Sequence, residues 1–300
     1  MFYKNNWLIW QYDNIPYSAK TNPESEFKLT LQKTVVTVKD YLWELFENAK
    51  NIRDLINGPL DLLFSGGIDS EVVLRTYKQL NIPINVYIFR YLDQLNYREF
   101  DHALEVCKSL NVQYKVIDFD VKKFFEQDAY NIWTKCYCDN SSWLPHMKLT
   151  EYLDNTPIFG SGEPYWRLQS DGKWALEIDE DAKYWTTYHI NIGRSAVTDW
   201  YEYRPEIILS HMQLPIIQSL INGKLAGKLS SFSSKSPVHK NFWSDIKIRP
   251  KMVGFEGNGE ITANNKPEYM LEFEKKYTST IKRTTYRWYQ NEIIDALYVS

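Results

Sequence analysis

Cysteine is scarce. The 300 residues hold three, Cys107, Cys136 and Cys138, too few for a disulfide framework, and no C-x-x-C pair marks a structural zinc site or a thiol-based sulfur carrier. Long apolar runs are missing too: no stretch approaches the roughly 18 consecutive apolar residues of a membrane span, so no membrane partner is expected. The start, Met1-Phe2-Tyr3-Lys4-Asn5-Asn6, has no basic segment feeding an apolar one and does not read as an export signal. Charge of one sign is not in excess. With 35 basic and 38 acidic residues and a formal charge of −3, nothing global recommends nucleic acid as a partner, although local patches stay open. The five histidines, at positions 102, 146, 189, 211 and 239, show no H-E-x-x-H spacing. These absences together fit a cytoplasmic chain.

What is present is an ordinary globular composition, 44% hydrophobic and 24% charged, enough for one large or two modest domains with a full core. Residues 1–34 alternate aromatic and polar positions around turn-prone Asn14, Pro16 and Asn22-Pro23, as short strands do. Thr37-x-x-Asp40 resembles a capping box, and the spacing of Val38, Leu42, Leu45, Ala49, Ile52 and Ile56 predicts a helix that Gly58-Pro59 ends. From Leu60 the pattern is strand, loop and helix in repetition. Strands are expected over 60–64, 84–89, 112–119 and 157–159, with helices between them, which predicts an α/β fold: a doubly wound parallel sheet. After Gly162 the regularity ends. Tyr165 to Ile178 reads as a hairpin with a turn at Ser170-Asp171-Gly172-Lys173, and 206–220, 268–276 and 286–297 read as helices, a mainly helical C-terminal part.

The most informative stretch is Leu60-Asp-Leu-Leu-Phe-Ser65-Gly66-Gly67-Ile68-Asp69-Ser70, an apolar strand running into a glycine turn and then a helix expected from about Glu71. Glycines there let backbone N–H groups approach an anion, and a helix N-terminus adds unpaired donors and a positive dipole end. Ser65 and Ser70 add hydroxyls. Asp69, which a bare phosphate would repel, makes sense as a ligand of the Mg2+ that accompanies ATP. The turn lacks the lysine of G-x-x-x-x-G-K-[ST] loops, and its glycines are adjacent.

This Ser-Gly-Gly-x-Asp-Ser turn resembles the PP-loop of the ATP pyrophosphatases, which include asparagine, GMP, NAD and β-lactam synthetases and several tRNA-modifying enzymes. The resemblance implies cleavage of ATP between its α- and β-phosphates, with pyrophosphate held by Ser65, Gly66, Gly67, Asp69 and Ser70 and with Mg2+ on Asp69. Arg90, just after the second strand, falls where that family contacts the nucleotide. A second turn, Phe159-Gly160-Ser161-Gly162-Glu163, resembles the G-x-G-[AS]-D turn of asparagine and β-lactam synthetases. It departs from the pattern: Ser161 stands between the glycines and Pro164 at the aligned Asp position. Glu163 is the candidate to replace that Asp as a second Mg2+ ligand, and Gly160, Ser161 and Gly162 join the nucleotide-binding set.

A third segment, Arg249-Pro250-Lys251-Met252-Val253-Gly254-Phe255-Glu256-Gly257-Asn258-Gly259, is similar to the R-P-K…E-G-x-G stretch of β-lactam synthetases. There the lysine approaches the activated acyl group, so Lys251 and Glu256 are the implied catalytic residues. A pre-placed cation suits chemistry in which negative charge builds at phosphate and then at a tetrahedral carbon. Lys235, His239 and Lys240 precede this segment and read as solvent-facing. The order of motifs implies a lead-in over 1–35, a PP-loop ATP-binding core over 36–164 and a substrate region over 165–300. The implied activity is an AMP- and pyrophosphate-forming ligase that joins a small-molecule carboxylate to an amine or ammonia. No glutaminase cysteine follows Met1, so ammonia would be free or come from a partner subunit. A PP-loop enzyme of nucleobase or tRNA modification and a degenerate nucleotide-binding module are the alternatives.

Overall fold

The computed structural model describes residues 4–223, 231–233, 237–247, 254–255, 257 and 266–297. The chain opens with an antiparallel sheet of β1 (Leu8–Tyr12), β2 (Ile15–Pro16) and β3 (Phe27–Leu31), β1 lying centrally. Leu8, Trp10 and Tyr12 alternate inward with the period-two geometry of a strand. Helix α1 (Tyr41–Leu55) starts at Asp40, whose carboxylate accepts from Trp43 N at 3.0 Å. Asp40 therefore caps the helix itself, in place of Thr37.

The parallel sheet follows: β4 (Leu60–Leu63), α2 (Ile68–Gln79), β5 (Asn85–Tyr91), α3 (Tyr97–Ser109) and β6 (Tyr114–Phe119). The chain then passes through α4 (Val121–Gln127), α5 (Ala129–Trp133) and α6 (Leu144–Leu149) to β7 (Thr156–Ile158). The strand order is β6-β5-β4-β7, every pair parallel. Leu60, Leu62, Val86 and Ile88 face one core with α1, α2 and α3, through Leu45, Val72, Val73 and Ala103. Leu63, Tyr87, Phe89 and Tyr91 face a second core with Phe124, Ile132 and Met147 of α4, α5 and α6. Helices thus cover both faces, as expected of a doubly wound sheet. The connection to β7 runs over the opposite face from α2 and α3 because β7 lies on the other side of β4, and right-handed crossovers require that switch.

Near the amino ends of the strands, buried Asp61 of β4 accepts from Asn85 Nδ2 at 2.7 Å, Asn155 N at 2.8 Å and Asn155 Nδ2 at 3.0 Å. Beyond β7, Val197 extends the sheet by a single parallel bridge to Ile158.

The remainder comprises β8 (Tyr165–Leu168), β9 (Trp174–Asp179), α7 (Asp181–Asn191), α8 (Pro205–Gln213), α9 (Pro215–Ile221), β10 (Ser231–Ser233), α10 (Pro237–Phe242), α11 (Glu268–Phe273), β11 (Thr285–Tyr289) and α12 (Gln290–Ala296). The expected hairpin is β8–β9, within an antiparallel sheet ordered β10-β8-β9-β11. The single helix expected over 206–220 is two, broken at Leu214 before Pro215, which cannot continue the hydrogen-bond ladder. The helix expected over 286–297 is a strand and a short helix. Tyr286 and Trp288 alternate along β11, pairing with Ile178 and Leu176 of β9, and only Gln290 onward is helical. The N-terminal strands pack on this second sheet: Trp10, Tyr12, Phe27 and Leu29 share a core with Trp166, Leu176, Ile178 and Leu209. Among the described residues no helix is long and apolar enough to cross a membrane.

Candidate nucleotide site

The two glycine turns leave adjacent strands, β4 and β7, at their carboxyl ends. The chain leaves β4 for β5 on one side and returns to β7 on the other, so the turns flank the topological switch point where open α/β sheets bind ligands. They touch: a Cβ on Gly160 would lie 2.7 Å from the carbonyl carbon of Asp69 and from the nitrogen of Ser70. No side chain fits there.

The first turn is built largely from its own atoms. Gly66 takes φ +74°, and a Cβ on it would stand 2.5 Å from Glu99 O of α3, so both angle and space demand glycine. Gly67 has φ −69° and is the N-cap of α2, which begins at Ile68 and so places Asp69 and Ser70 in its first turn. Ser65 Oγ accepts from Gly67 N at 3.2 Å, and Ser70 Oγ donates to Gly67 O at 2.9 Å. Gly67 has no side chain, so α2 has no side-chain N-cap bond, and a helix N-terminus of this kind presents backbone N–H donors. That donor set fits a pyrophosphate group. Among the described residues no group of three or more His, Cys, Asp or Glu side chains gathers as a metal site. Asp69 alone suits Mg2+, which commonly takes one or two carboxylates and completes its shell with phosphate oxygens and water.

The second turn depends on distant partners. Ser161 Oγ donates to Thr198 O, and Ser161 O accepts from Tyr201 N at 3.2 Å. A Cβ on Gly162 would meet Glu202 Cγ at 2.9 Å. Glu202 in turn accepts from Lys183 Nζ at 2.8 Å, and Lys183, with no exposed side-chain surface, also pairs with Asp199. Burial works against charge on Lys183, but Asp199 and Glu202 hold its pKa above the ordinary value. Burial raises Glu202 above the ordinary carboxylate range, against the pull of the lysine beside it.

Glu163, expected to face Mg2+, ends this turn with Oε1 3.1 Å from His239 Nε2; both side chains are buried. His239 on α10, read from sequence as solvent-facing, is fully buried. Its neighbour His211 accepts from Trp166 Nε1 at 3.4 Å, and burial pushes it down to about 3.

Arg90 sits near the carboxyl end of β5. Its guanidinium forms a two-pronged pair with Asp118 of β6, at 2.6 and 2.9 Å, and lies over the Phe100 ring. The structure thus engages Arg90 with its strand neighbour. Lys251 and Glu256 lie outside the described residues. Their neighbours Gly254, Phe255 and Gly257 cross the β5–α3 connection: Phe255 packs on Tyr91, Gly257 N donates to Leu95 O at 2.8 Å, and a Cβ on Gly254 would meet Glu99 Oε2 at 3.2 Å. Glu99 also carries the carbonyl against which Gly66 packs, so the third motif is anchored one residue from the phosphate turn. A groove of about 490 Å3 lined by Lys78, Asn81, Asn85 and Lys115 lies at the other end of the sheet, remote from these turns.

Residues 62–132 match the model of a family described as queuosine biosynthesis protein QueC. The match begins in β4 and takes in the phosphate turn and the strands and helices after it; with the turn's sequence it supports the PP-loop ATP pyrophosphatase superfamily, without selecting a synthetase subtype. No curated protein matches the chain. Solved structures that it resembles include NMN synthetase from Francisella tularensis, 19% identical over 39% of this chain and 52% of that one, with a TM-score of 0.31. A predicted subunit of tRNA methyltransferase from Methanocaldococcus jannaschii is 17% identical over 52% of this chain and 75% of that one, TM-score 0.31. The NH3-dependent NAD synthetase from Campylobacter jejuni is 13% identical over 81% and 94%, TM-score 0.31. This chain thus spans about half the length of the Francisella protein.

Proposed function

We propose that the protein is a cytoplasmic ATP-dependent carbon–nitrogen ligase of the asparagine synthetase and β-lactam synthetase type. A substrate carboxylate oxygen attacks the α-phosphorus of ATP, the bond to the β-phosphate oxygen breaks, and pyrophosphate leaves. An amine or ammonia, the latter free or from a partner subunit, then attacks the acyl carbon and AMP departs. The observation that carries this reading is the direct apposition of Gly160 on the Asp69–Ser70 peptide, which sets a phosphate-type helix N-terminus beside a second glycine turn. In this reading the N–H groups of the Ser65–Ser70 turn take the pyrophosphate, Asp69 would hold Mg2+, and Lys251 and Glu256 serve the acyl step. The pairing of Glu163 with His239 favours Asp69 as the main metal carboxylate.

A second reading, adenylation of a nucleobase oxygen during base or tRNA modification, draws on the match to a queuosine biosynthesis family. Exchange of labelled pyrophosphate into ATP separates the readings: stimulation by a carboxylate supports the ligase, and stimulation only by nucleobases or RNA supports the second. Lys251→Ala is expected to lose roughly 100-fold or more in carboxylate-dependent exchange with little change in ATP affinity. ADP as the main product would sink both readings, and ATP binding without turnover would leave a nucleotide-binding module.

A further inference from the structure

Neither glycine turn is held at its distance from the other by motif residues alone. Behind both runs the segment Thr198–Glu202, and one residue in it reaches each turn. Tyr201 N donates to Ser161 O at 3.2 Å, and the hydroxyl at the far end of the same side chain donates to Asp69 O at 3.2 Å. The ring is fully buried, and burial raises its pKa well above the ordinary value, so the hydroxyl keeps the proton it donates. The segment is braced on three further sides. Asn48 Nδ2 of α1 donates to Trp200 O at 2.8 Å, Trp7 Nε1 of the N-terminal sheet donates to Glu202 O at 3.0 Å, and Lys183 of α7 grips Glu202.

We propose that Tyr201 is a positioning residue: a rigid aromatic spacer that, beside the direct contact of Gly160 with the Asp69–Ser70 peptide, fixes how the phosphate turn sits against the second glycine turn, with Lys183 and Glu202 as its anchor. The phenol suits the task because it spans the gap with few torsions and ends in a single directional donor. Misplacement by a fraction of an ångström between groups acting on one reaction is costly in rate, so the spacing bears on turnover more than on affinity.

The test is Tyr201→Phe, which keeps the ring and removes only the tie to Asp69. Amide hydrogen exchange at Gly66, Gly67 and Ser161–Glu163 is expected to quicken together, by about fivefold or more, while α1 keeps its protection. Unchanged exchange at both turns, or a change confined to the second, overturns the proposal. The kinetic arm rests on the ATP-cleaving reading. There kcat of pyrophosphate exchange is expected to fall about tenfold with KM for ATP moving less than about threefold; a rise in KM alone overturns the positioning role. If the wild-type protein turns over no ATP, the functional reading fails and the exchange measurement still decides the spacer.

Discussion

The two glycine turns meet at one site but are made in different ways. The Ser65–Ser70 turn closes largely on itself: Ser65, Gly67 and Ser70 bond to one another within six residues. The Gly160–Glu163 turn is held by Thr198, Tyr201, Glu202 and His239, and through Glu202 by Lys183. The first carries most of its bonding within itself and takes one outside tie, from Tyr201 to Asp69 O, whereas the second borrows its shape from packed segments that must already be in place.

Lys183→Met breaks this contrast most severely. It leaves buried Glu202 and half-buried Asp199 without their cation, and should cost about 3–5 kcal/mol of unfolding free energy in urea titrations. Exchange should quicken at both turns through Tyr201, and more at Gly160–Glu163, which also loses Glu202 as a neighbour; an equal change at the two would mean that the first turn takes its shape from the same brace.

Acid should sharpen the contrast with a smaller effect. His211, held neutral by burial with its pKa pushed down to about 3, lies beside the second turn's Glu163 and His239 and against Tyr41. Between about pH 6.5 and 3 the unfolded chain takes up a proton that the folded site refuses, so this contribution is present above pH 6.5 and lost as pH falls. A decrease of roughly 1–2 kcal/mol at pH 5 relative to pH 7 is expected for this group, and His211→Gln should flatten the acid limb of a urea-midpoint profile.

Ser65→Ala is the mildest test. It removes one acceptor of Gly67 N at a partly exposed turn and should cost about 0.5–1.5 kcal/mol, read from the thermal midpoint. A loss as large as that of Lys183→Met would erase the distinction.

The same division decides what could be read from the sequence. The phosphate turn, the parallel strands and the β8–β9 hairpin announce themselves through neighbours in the chain: glycine beside serine, apolar runs between helical periods, Asp171-Gly172 at a tip. Tyr286–Leu297 reads as one helix, and its strand half is decided by the partner β9, which no local pattern names. His239 lies among Ser and Lys residues that predict exposure, yet its partner Glu163 is 76 positions away. Tyr201 and Asp69 are separated by 132. Lys183 is the residue most foreign to sequence reasoning, since a lysine on a helix ordinarily faces water. The two glycine turns were legible because each is a local signature; the braces that hold them were not, because each brace joins distant stretches of chain.

Asp61 has a consequence for how the sheet is assembled. Its carboxylate takes donors from Asn85 beyond one edge of β4 and from Asn155 beyond the other. A slip of one residue in either neighbouring strand would carry its asparagine about 3.3 Å along the sheet and strand a buried carboxylate among apolar side chains. The misaligned sheet is thereby priced out during folding, like a key that turns only when every pin is level. Both strands that launch a glycine turn are gauged from this one residue, so the turns emerge at matching heights at the far end of the sheet.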